Sequence, residues 1–268
     1  MDSAVLRDDM VDGVDHAVGG LDAAVGAAMR TVPRHEFVDD RPYDNRATEH
    51  EGTTVLAPKT AARLLEALDV ADGDDVLVVG AGVGYTAAVV AEIVGGRHVH
   101  AVDITRRLVL DARRNLARAG YDAVLVDRRD GARGLPEYAP FDRILVEAAA
   151  VRPPRALLDQ LADGGRLAMP IGGPDQTLVA VESTDGDGRP ADRDARPAAH
   201  RDARLDVPGF GVVERFGDAA FDPLLVEGEQ AGGLTRNRTE REDREFAQQG
   251  YFAPAGWEQD WIDWERHG

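Results

Sequence analysis

The alternation of apolar and polar positions is clearest in the middle of the chain. Residues 76–79, Val-Leu-Val-Val, are all apolar and rich in β-branched side chains, which is typical of a strand buried on both faces. Gly80, Gly82 and Gly84 follow at once, and residues 84–94 have a helical pattern. A strand, a glycine turn and a helix in this order can present backbone N–H groups to a bound cofactor, although such turns also join elements for purely structural reasons.

The same alternation continues toward the C-terminus. It predicts strands at residues 98–102, 122–126, 141–146, 165–170 and 176–182, and helices at residues 105–118 and 154–161. Strands that alternate with helices indicate an α/β fold with a mainly parallel, twisted sheet and helices on both faces. Ligands of such folds bind at the carboxyl ends of the strands.

The flanking segments have weaker patterns. Apolar residues at helical spacing predict one amphipathic helix within residues 1–31, and residues 59–70 predict a second helix. Residues 183–206 are rich in Asp, Arg, Gly and Pro, which predicts a flexible loop, and residues 209–227 predict the last strands of the sheet. We therefore divide the chain into an N-terminal helical cap with a substrate loop (1–75), a sheet core (76–228) and a C-terminal helical tail (229–268).

The tail contains every tryptophan of the protein. Trp257, Trp261 and Trp264 are spaced by four and three residues, which places them on one face of a predicted helix. Such a face either docks on its own domain or binds a partner, including a second copy in a homo-oligomer. The first interpretation is favoured.

Composition narrows the class of protein. The 268 residues carry a net charge of −18, and Lys59 is the only lysine among 31 basic residues. Spread acidity with so little lysine favours a halophilic protein over one that binds a basic partner, and it argues against nucleic-acid binding. A cytoplasmic location is the default expectation, because the sequence has no pattern of a membrane span or signal peptide. The chain has no cysteine, which excludes disulfides and thiolate nucleophiles, and its seven histidines lack the spacing of metal ligands. We find neither an apolar run long enough for a membrane span nor a signal-peptide pattern.

Three groups of residues fall at the predicted carboxyl edge of the sheet. The glycine turn is the first. Asp103 closes the second strand and can accept hydrogen bonds from two ribose hydroxyls, while Asp130 follows the third strand and can accept one from an adenine amino group. Taken singly, Asp103 could be a helix cap and Asp130 part of an Asp-Gly turn. Their common placement favours a nucleoside-containing cofactor.

Several segments carry a resemblance to a known family. They are Val-Pro-Arg-His-Glu-Phe-Val at residues 32–38, Thr-Val-Leu-Ala-Pro at 54–58, Gly-Ala-Gly-Val-Gly-Tyr at 80–85 and Met-Pro-Ile-Gly at 169–172. The chain resembles the Rossmann-like methyltransferases that use S-adenosylmethionine and, more narrowly, the protein-L-isoaspartate O-methyltransferase family. The resemblance implies cofactor contacts from Gly80, Ala81, Gly82, Gly84, Asp103, Ile104, Asp130 and Gly131.

The resemblance also implies a reaction, namely methyl transfer to the isoaspartyl carboxylate of damaged proteins or peptides as a step in their repair. Leu56 stands where the family has an active-site serine, so we expect weak or altered activity; Thr53 or Thr54 could supply the hydroxyl instead. Val78 stands where the family has an acid near the methionine end of the cofactor, and Glu147 could replace it. The alternatives are surface threonines, a solvated glutamate and, for the whole protein, a non-catalytic binding module.

Overall fold

The computed structural model describes residues 2–183 and 209–225. The helices of this part of the chain are α1 (Ser3–Val18), α2 (Ala23–Thr31), α3 (Pro58–Leu68), α4 (Tyr85–Val94), α5 (Arg106–Ala119) and α6 (Arg155–Leu158). The strands are β1 (Thr48–His50), β2 (Thr53–Val55), β3 (Val76–Val79), β4 (Val99–Asp103), β5 (Leu125–Arg128), β6 (Phe141–Val146), β7 (Leu161–Gly172), β8 (Gln176–Ser183) and β9 (Phe210–Ala219).

Seven of these strands form one sheet in the order β5-β4-β3-β6-β7-β8-β9, and β1 pairs with β2 in a separate hairpin. The ladders from β5 to β7 are parallel, and those that join β7, β8 and β9 are antiparallel. The predicted mainly parallel sheet is therefore confirmed. The chain adds β4 and β5 on one side of β3 and then crosses back to place β6 on the other side. This reversal makes a crevice at the carboxyl ends of β3, β4 and β6, where open α/β sheets bind their ligands.

The two faces of the sheet are covered unequally. Helices α1 to α5 pack on one face through buried residues such as Val14, Met29 and Leu65. On the other face, the cluster that includes Leu157 of α6 and Ala132 of a short 3-10 turn covers the sheet. Helices thus lie on both faces, as predicted, and the N-terminal segment belongs to the packing of the first face.

The predicted single helix within residues 1–31 is wrong, because the segment forms two helices. Gly19 and Gly20 have φ values of 85° and 117°, which a continuous helix cannot contain. Asp22 then starts α2, since its carboxylate accepts hydrogen bonds from the N–H groups of Ala24 and Val25 at 2.8 and 3.1 Å. Apolar spacing alone hides this break, because the positions stay in phase across the turn.

Two later boundaries also differ from the prediction. The helix expected at residues 154–161 is the single turn α6, and Leu161 already pairs with Phe141 as the first residue of β7. The Gln160 side chain ends α6, because its Nε2 donates to the Ala156 and Arg133 carbonyls and its Oε1 accepts from the Leu135 N–H, all at 2.8 Å. The sequence predicts more than one strand within residues 209–227, whereas the described residues 209–225 form one strand, β9.

The predicted loop at residues 183–206 lies almost wholly outside the described residues, and so does the tail with Trp257, Trp261 and Trp264. In the described part of the chain, no helix has both the length and the apolar character needed to cross a bilayer.

Candidate functional site

The glycine turn after β3 is held against the neighbouring strand. The N–H groups of Gly80 and Ala81 both donate to the carbonyl of Val102, at 2.9 and 3.0 Å. Gly80, Gly82 and Gly84 have φ values of 90°, 51° and 91°, a region that side-chain-bearing residues rarely adopt. At Gly84 a Cβ would also crowd α5. The turn therefore needs its glycines, and it leads into the N-terminus of α4 as the sequence predicts.

Asp103 lies at the end of β4 and binds the glycine turn directly. Its Oδ2 accepts from the Gly82 N–H at 3.0 Å and its Oδ1 from the Thr105 N–H at 2.8 Å. The residue is only 8% exposed; burial raises the pKa of this carboxyl, and the hydrogen bonds from Thr105 and Gly82 oppose that rise. The Thr105 hydroxyl also bonds this carboxylate, which still leaves it acceptor capacity for a ligand hydroxyl. Ile104, the next predicted contact, is half-buried, and its carbonyl accepts from Arg128 Nε at 3.2 Å.

The capping role considered for Asp103 is also present. Thr105 occupies the N-cap position of α5, but its side chain makes no capping bond. Asp103 instead accepts a hydrogen bond from the Thr105 N–H, so one carboxylate joins the glycine turn to the start of α5. The structural and ligand-binding interpretations of Asp103 are therefore compatible.

Asp130 and Gly131 follow β5 at the same edge of the sheet. The Asp130 carboxylate accepts from the Ala132 N–H at 3.0 Å, which starts a 3-10 turn over Gly131–Arg133. A Cβ on Gly131 would lie 2.4 Å from Cγ1 of Val79, so only glycine lets this turn approach the end of β3. The Asp-Gly turn thus exists, and it brings Gly131 against the end of β3.

Glu147 is the first residue after β6, and the structure places it against the glycine turn. Its N–H donates to the Val79 carbonyl at 2.8 Å, and a Cβ on Gly80 would lie 3.4 Å from the Glu147 Cβ. Burial, with the charge of Asp103 as a smaller cause, raises the pKa of Glu147 to about 8. The carboxyl is therefore strongly desolvated, although the residue keeps some exposed surface. Val78, in contrast, is fully buried in the apolar core.

Arg34 connects the N-terminal segment to the loop that contains Leu56. Its Nε donates to the Pro42 carbonyl at 2.8 Å and its Nη2 to the Leu56 carbonyl at 2.7 Å, and the guanidinium lies 4.3 Å from the ring centroid of Tyr85 in α4. Arg34 is 2% exposed. Sequence reasoning used Arg34 only as part of a motif and missed this bracing role. The signal available was an arginine between apolar positions at residues 32–38.

The hairpin β1–β2 carries both candidate hydroxyls. Thr54 is exposed and Thr53 half-buried on β2, whereas the Leu56 side chain packs on the apolar core. His50 Nε2 lies 3.0 Å from Asp111 Oδ2, and this contact ties the hairpin to α5. The hairpin is thus fixed to the helix that starts beside Asp103, but the structure records no contact that brings Thr53 or Thr54 to the glycine turn.

The glycine turn, Asp103, Asp130 and Glu147 meet at the carboxyl ends of adjacent strands. Within residues 2–183 and 209–225, no group of three His, Asp or Glu side chains could hold a metal ion. A Rossmann-like sheet with acids at this edge belongs to the class of folds that bind nucleoside-containing cofactors.

The comparisons with known proteins identify the family. A sequence profile of the protein-L-isoaspartate(D-aspartate) O-methyltransferase family matches residues 9–195. The chain belongs to this family.

Individual relatives agree with that assignment. The chain is 44% identical over 177 residues to protein-L-isoaspartate O-methyltransferase of Aeropyrum pernix, a match that covers 62% of this chain and 66% of the relative. It is 40% identical over 185 residues to the enzyme of the same name from Methanosarcina mazei, covering 66% of this chain and 74% of the relative. The alignments thus leave a quarter to a third of these relatives unmatched.

Two solved structures share the fold. One, a protein-L-isoaspartate O-methyltransferase, has a TM-score of 0.65 at 24% identity and covers 89% of this chain and 69% of its own. The other is a protein of the same kind from Plasmodium falciparum, solved with S-adenosyl-L-homocysteine; its TM-score is 0.65 at 21% identity, covering 82% of this chain and 98% of its own. Both confirm the Rossmann-like architecture.

Proposed function

We propose that this protein is an S-adenosylmethionine-dependent methyltransferase that methylates isoaspartyl carboxylates in damaged proteins or peptides. The observation that carries the proposal is the family match over residues 9–195, which includes the whole glycine turn and the acids beside it. The names of the relatives support an enzyme rather than a non-catalytic binding module.

The residues present fit the cofactor. The glycine turn would bring backbone close to a ligand without side chains in the way, and the buried Asp103 would accept from the ribose with its remaining acceptor capacity. Asp130 would accept from the adenine amino group, with Gly131 giving room at the end of β3. Ala81 and Ile104 would complete the walls around the nucleoside. When bound, the cofactor supplies a methyl group made electrophilic by the adjoining sulfonium.

Methyl transfer to a carboxylate requires little of the protein beyond positioning the two reacting groups. An isoaspartyl carboxylate is ionised near neutral pH and is already a nucleophile, so no strong base is needed. The protein has to hold that carboxylate in line with the methyl group and keep water away. We assign this task to the loop after β2, which is held in place because Arg34 bonds the Leu56 carbonyl and the hairpin is tied to α5 through Asp111.

Leu56 limits this activity. A leucine side chain cannot donate a hydrogen bond to the acceptor carboxylate or its flanking peptide. We propose Thr53 and Thr54 as the hydroxyls that take this part, and an activity below that of a serine-bearing relative.

The direct test is transfer of labelled methyl groups from S-adenosylmethionine to an isoaspartyl peptide, beside the matching normal-aspartyl peptide. We expect transfer to the first peptide only. Cofactor binding without transfer to either peptide would contradict the proposed acceptor and would support the binding-module alternative. Absence of cofactor binding would contradict the proposed class of enzyme.

We further propose that the protein works in a salt-rich cytoplasm. The net charge of −18 and the single lysine support this, because spread carboxylates keep a surface hydrated at high salt. Self-association through the tail with Trp257, Trp261 and Trp264 stays a prediction. Sedimentation of the full chain and of a chain ending at residue 250, in molar KCl, would test the self-association, and thermal unfolding of the full chain in dilute and in molar KCl would test the adaptation to salt.

A further inference from the structure

Glu147 occupies a position that β6 creates at the crevice. Because β6 runs parallel to β3 with Val146 opposite Val79, the residue after Val146 emerges beside the residue after Val79. Glu147 therefore lies next to Gly80, and a Cβ on Gly80 would lie in van der Waals contact with the Glu147 Cβ and backbone. Glu147 is partly exposed, although its carboxyl is strongly desolvated.

The surroundings of this carboxyl supply little positive charge. Burial and, to a smaller extent, the charge of Asp103 together raise its pKa to about 8, and only a hydrogen bond with the Thr86 hydroxyl and the charge of Arg34 oppose these causes. Arg34 is already engaged with two carbonyls and the Tyr85 ring. In the part of the chain that the structure describes, no basic nitrogen lies within ion-pair distance of Glu147. A desolvated carboxylate without a neighbouring cation is costly, and such groups concentrate at functional sites.

We propose that Glu147 binds the ammonium group at the methionine end of the cofactor, in place of the acid that Val78 lacks. This inference rests on the proposed function. Asp103 and Glu147 flank the glycine turn from opposite sides, because β4 and β6 are the two neighbours of β3. A ligand with a ribose at one end and an ammonium at the other matches two carboxylates arranged in this way.

The pairing makes binding depend on pH. The ammonium favours the ionised carboxylate, so a ligand that binds below the pKa of Glu147 must displace its proton. We therefore expect the affinity for an ammonium-bearing ligand to rise by up to about tenfold per pH unit between pH 6 and pH 7.5. Asp103, Arg34 and Thr86 face the same carboxyl but remain in any Glu147 variant, so the effect is specific to Glu147.

The experiment compares two ligands by calorimetry. S-adenosylhomocysteine carries the amino acid end, and 5′-methylthioadenosine has the same nucleoside without it. Glu147→Gln should weaken the first by about 10- to 100-fold at pH 7.5 and remove its pH dependence, while leaving the second unchanged. Glu147→Asp should keep the pH dependence. Glu214→Gln, an exposed change on β9 at the far side of the sheet, should behave as the wild type.

Each outcome bears on one idea. Equal weakening of both ligands by Glu147→Gln would overturn the proposal, because a merely structural role disturbs the whole site. Unchanged affinity for S-adenosylhomocysteine would overturn it as well, while leaving the proposed function intact. If the wild type binds neither ligand, the proposed function fails first and the assignment of Glu147 fails with it. Retained binding of 5′-methylthioadenosine by the variant would show that the variant is folded.

Discussion

Replacing Glu147 by glutamine should stabilise the protein in the absence of ligand, and more so as the pH rises. The pKa of this carboxyl rises from 4.5 to about 8 on folding, so the folded state binds a proton that the unfolded state has lost. Stability is therefore lost progressively as the pH rises from about 4.5 to about 8. Glutamine has nearly the same shape and keeps an acceptor oxygen for the Thr86 hydroxyl, but it carries no charge.

The magnitude follows from the linkage between protonation and folding. Each pH unit in that interval lowers the free energy of unfolding by at most about 1.4 kcal/mol. From pH 5 to pH 7 the upper limit is about 2.7 kcal/mol, and entry of water around a partly exposed group reduces it to ~1–2 kcal/mol. For a protein of this size, such a change shifts the melting temperature by about 2–8 °C.

The assay is thermal unfolding of the wild type and Glu147→Gln at pH 5 and pH 7, in buffers of equal salt. The variant should melt higher at pH 7, and the difference should shrink at pH 5. Glu214→Gln, which changes an exposed carboxyl, should show no such dependence on pH. A variant that melts lower than the wild type at pH 7, or a difference that is the same at both pH values, would refute the electrostatic reasoning.

Three further changes test other parts of the site. Asp103→Ala should weaken cofactor binding by about 1.5–3 kcal/mol, the range for hydrogen bonds to a charged group, and calorimetry that finds no change would remove Asp103 from the site. Leu56→Ser should raise methyl transfer to an isoaspartyl peptide by up to about 10²–10³-fold, by analogy with positioned donors elsewhere; an unchanged rate with cofactor bound would point to another acceptor. Gly131→Ala should cost about 1–3 kcal/mol of stability and weaken cofactor binding, because its Cβ would overlap Val79 and push Asp130 away. An unchanged melting temperature would show that the turn moves freely.

The core of the fold was predictable because its elements carry redundant signals. The strand Val76–Val79 is uniformly apolar and is followed by three closely spaced glycines, which indicate a tight turn. Gly120 ends α5 in the left-handed conformation that a glycine after a helix predicts. The N-terminal helices were merged because Gly19 and Gly20 interrupt the backbone without disturbing the apolar spacing. The local pattern of apolar residues therefore predicts where helices and strands lie, but it does not predict where a helix is interrupted.

The site was predictable only in part, for a different reason. Asp103 and Asp130 follow strands, so parallel pairing brings them to one edge. The burial of Glu147 depends on what surrounds a carboxylate in three dimensions, and neither its sequence neighbours Val146 and Ala148 nor its spacing indicates that Gly80 and Thr86 lie beside it. The bracing contacts of Arg34 were missed for the same reason, since Leu56 is distant in the sequence.

The parallel pairing of β3 and β6 also constrains how a sequence of this kind could have evolved. Residues at the ends of two adjacent parallel strands approach the same space, so an acid lost from one strand can reappear on the other without moving the ligand. The order of the two changes matters. An ancestor with acids at both positions would hold three carboxylates around one glycine turn, because Asp103 is the third. An ancestor with an acid at neither position would lack the negative charge that pairs with the ammonium group. On the proposed role of Glu147, we therefore expect positions 78 and 147 to vary together among relatives, and an alignment in which acids at the two positions occur independently would contradict this expectation.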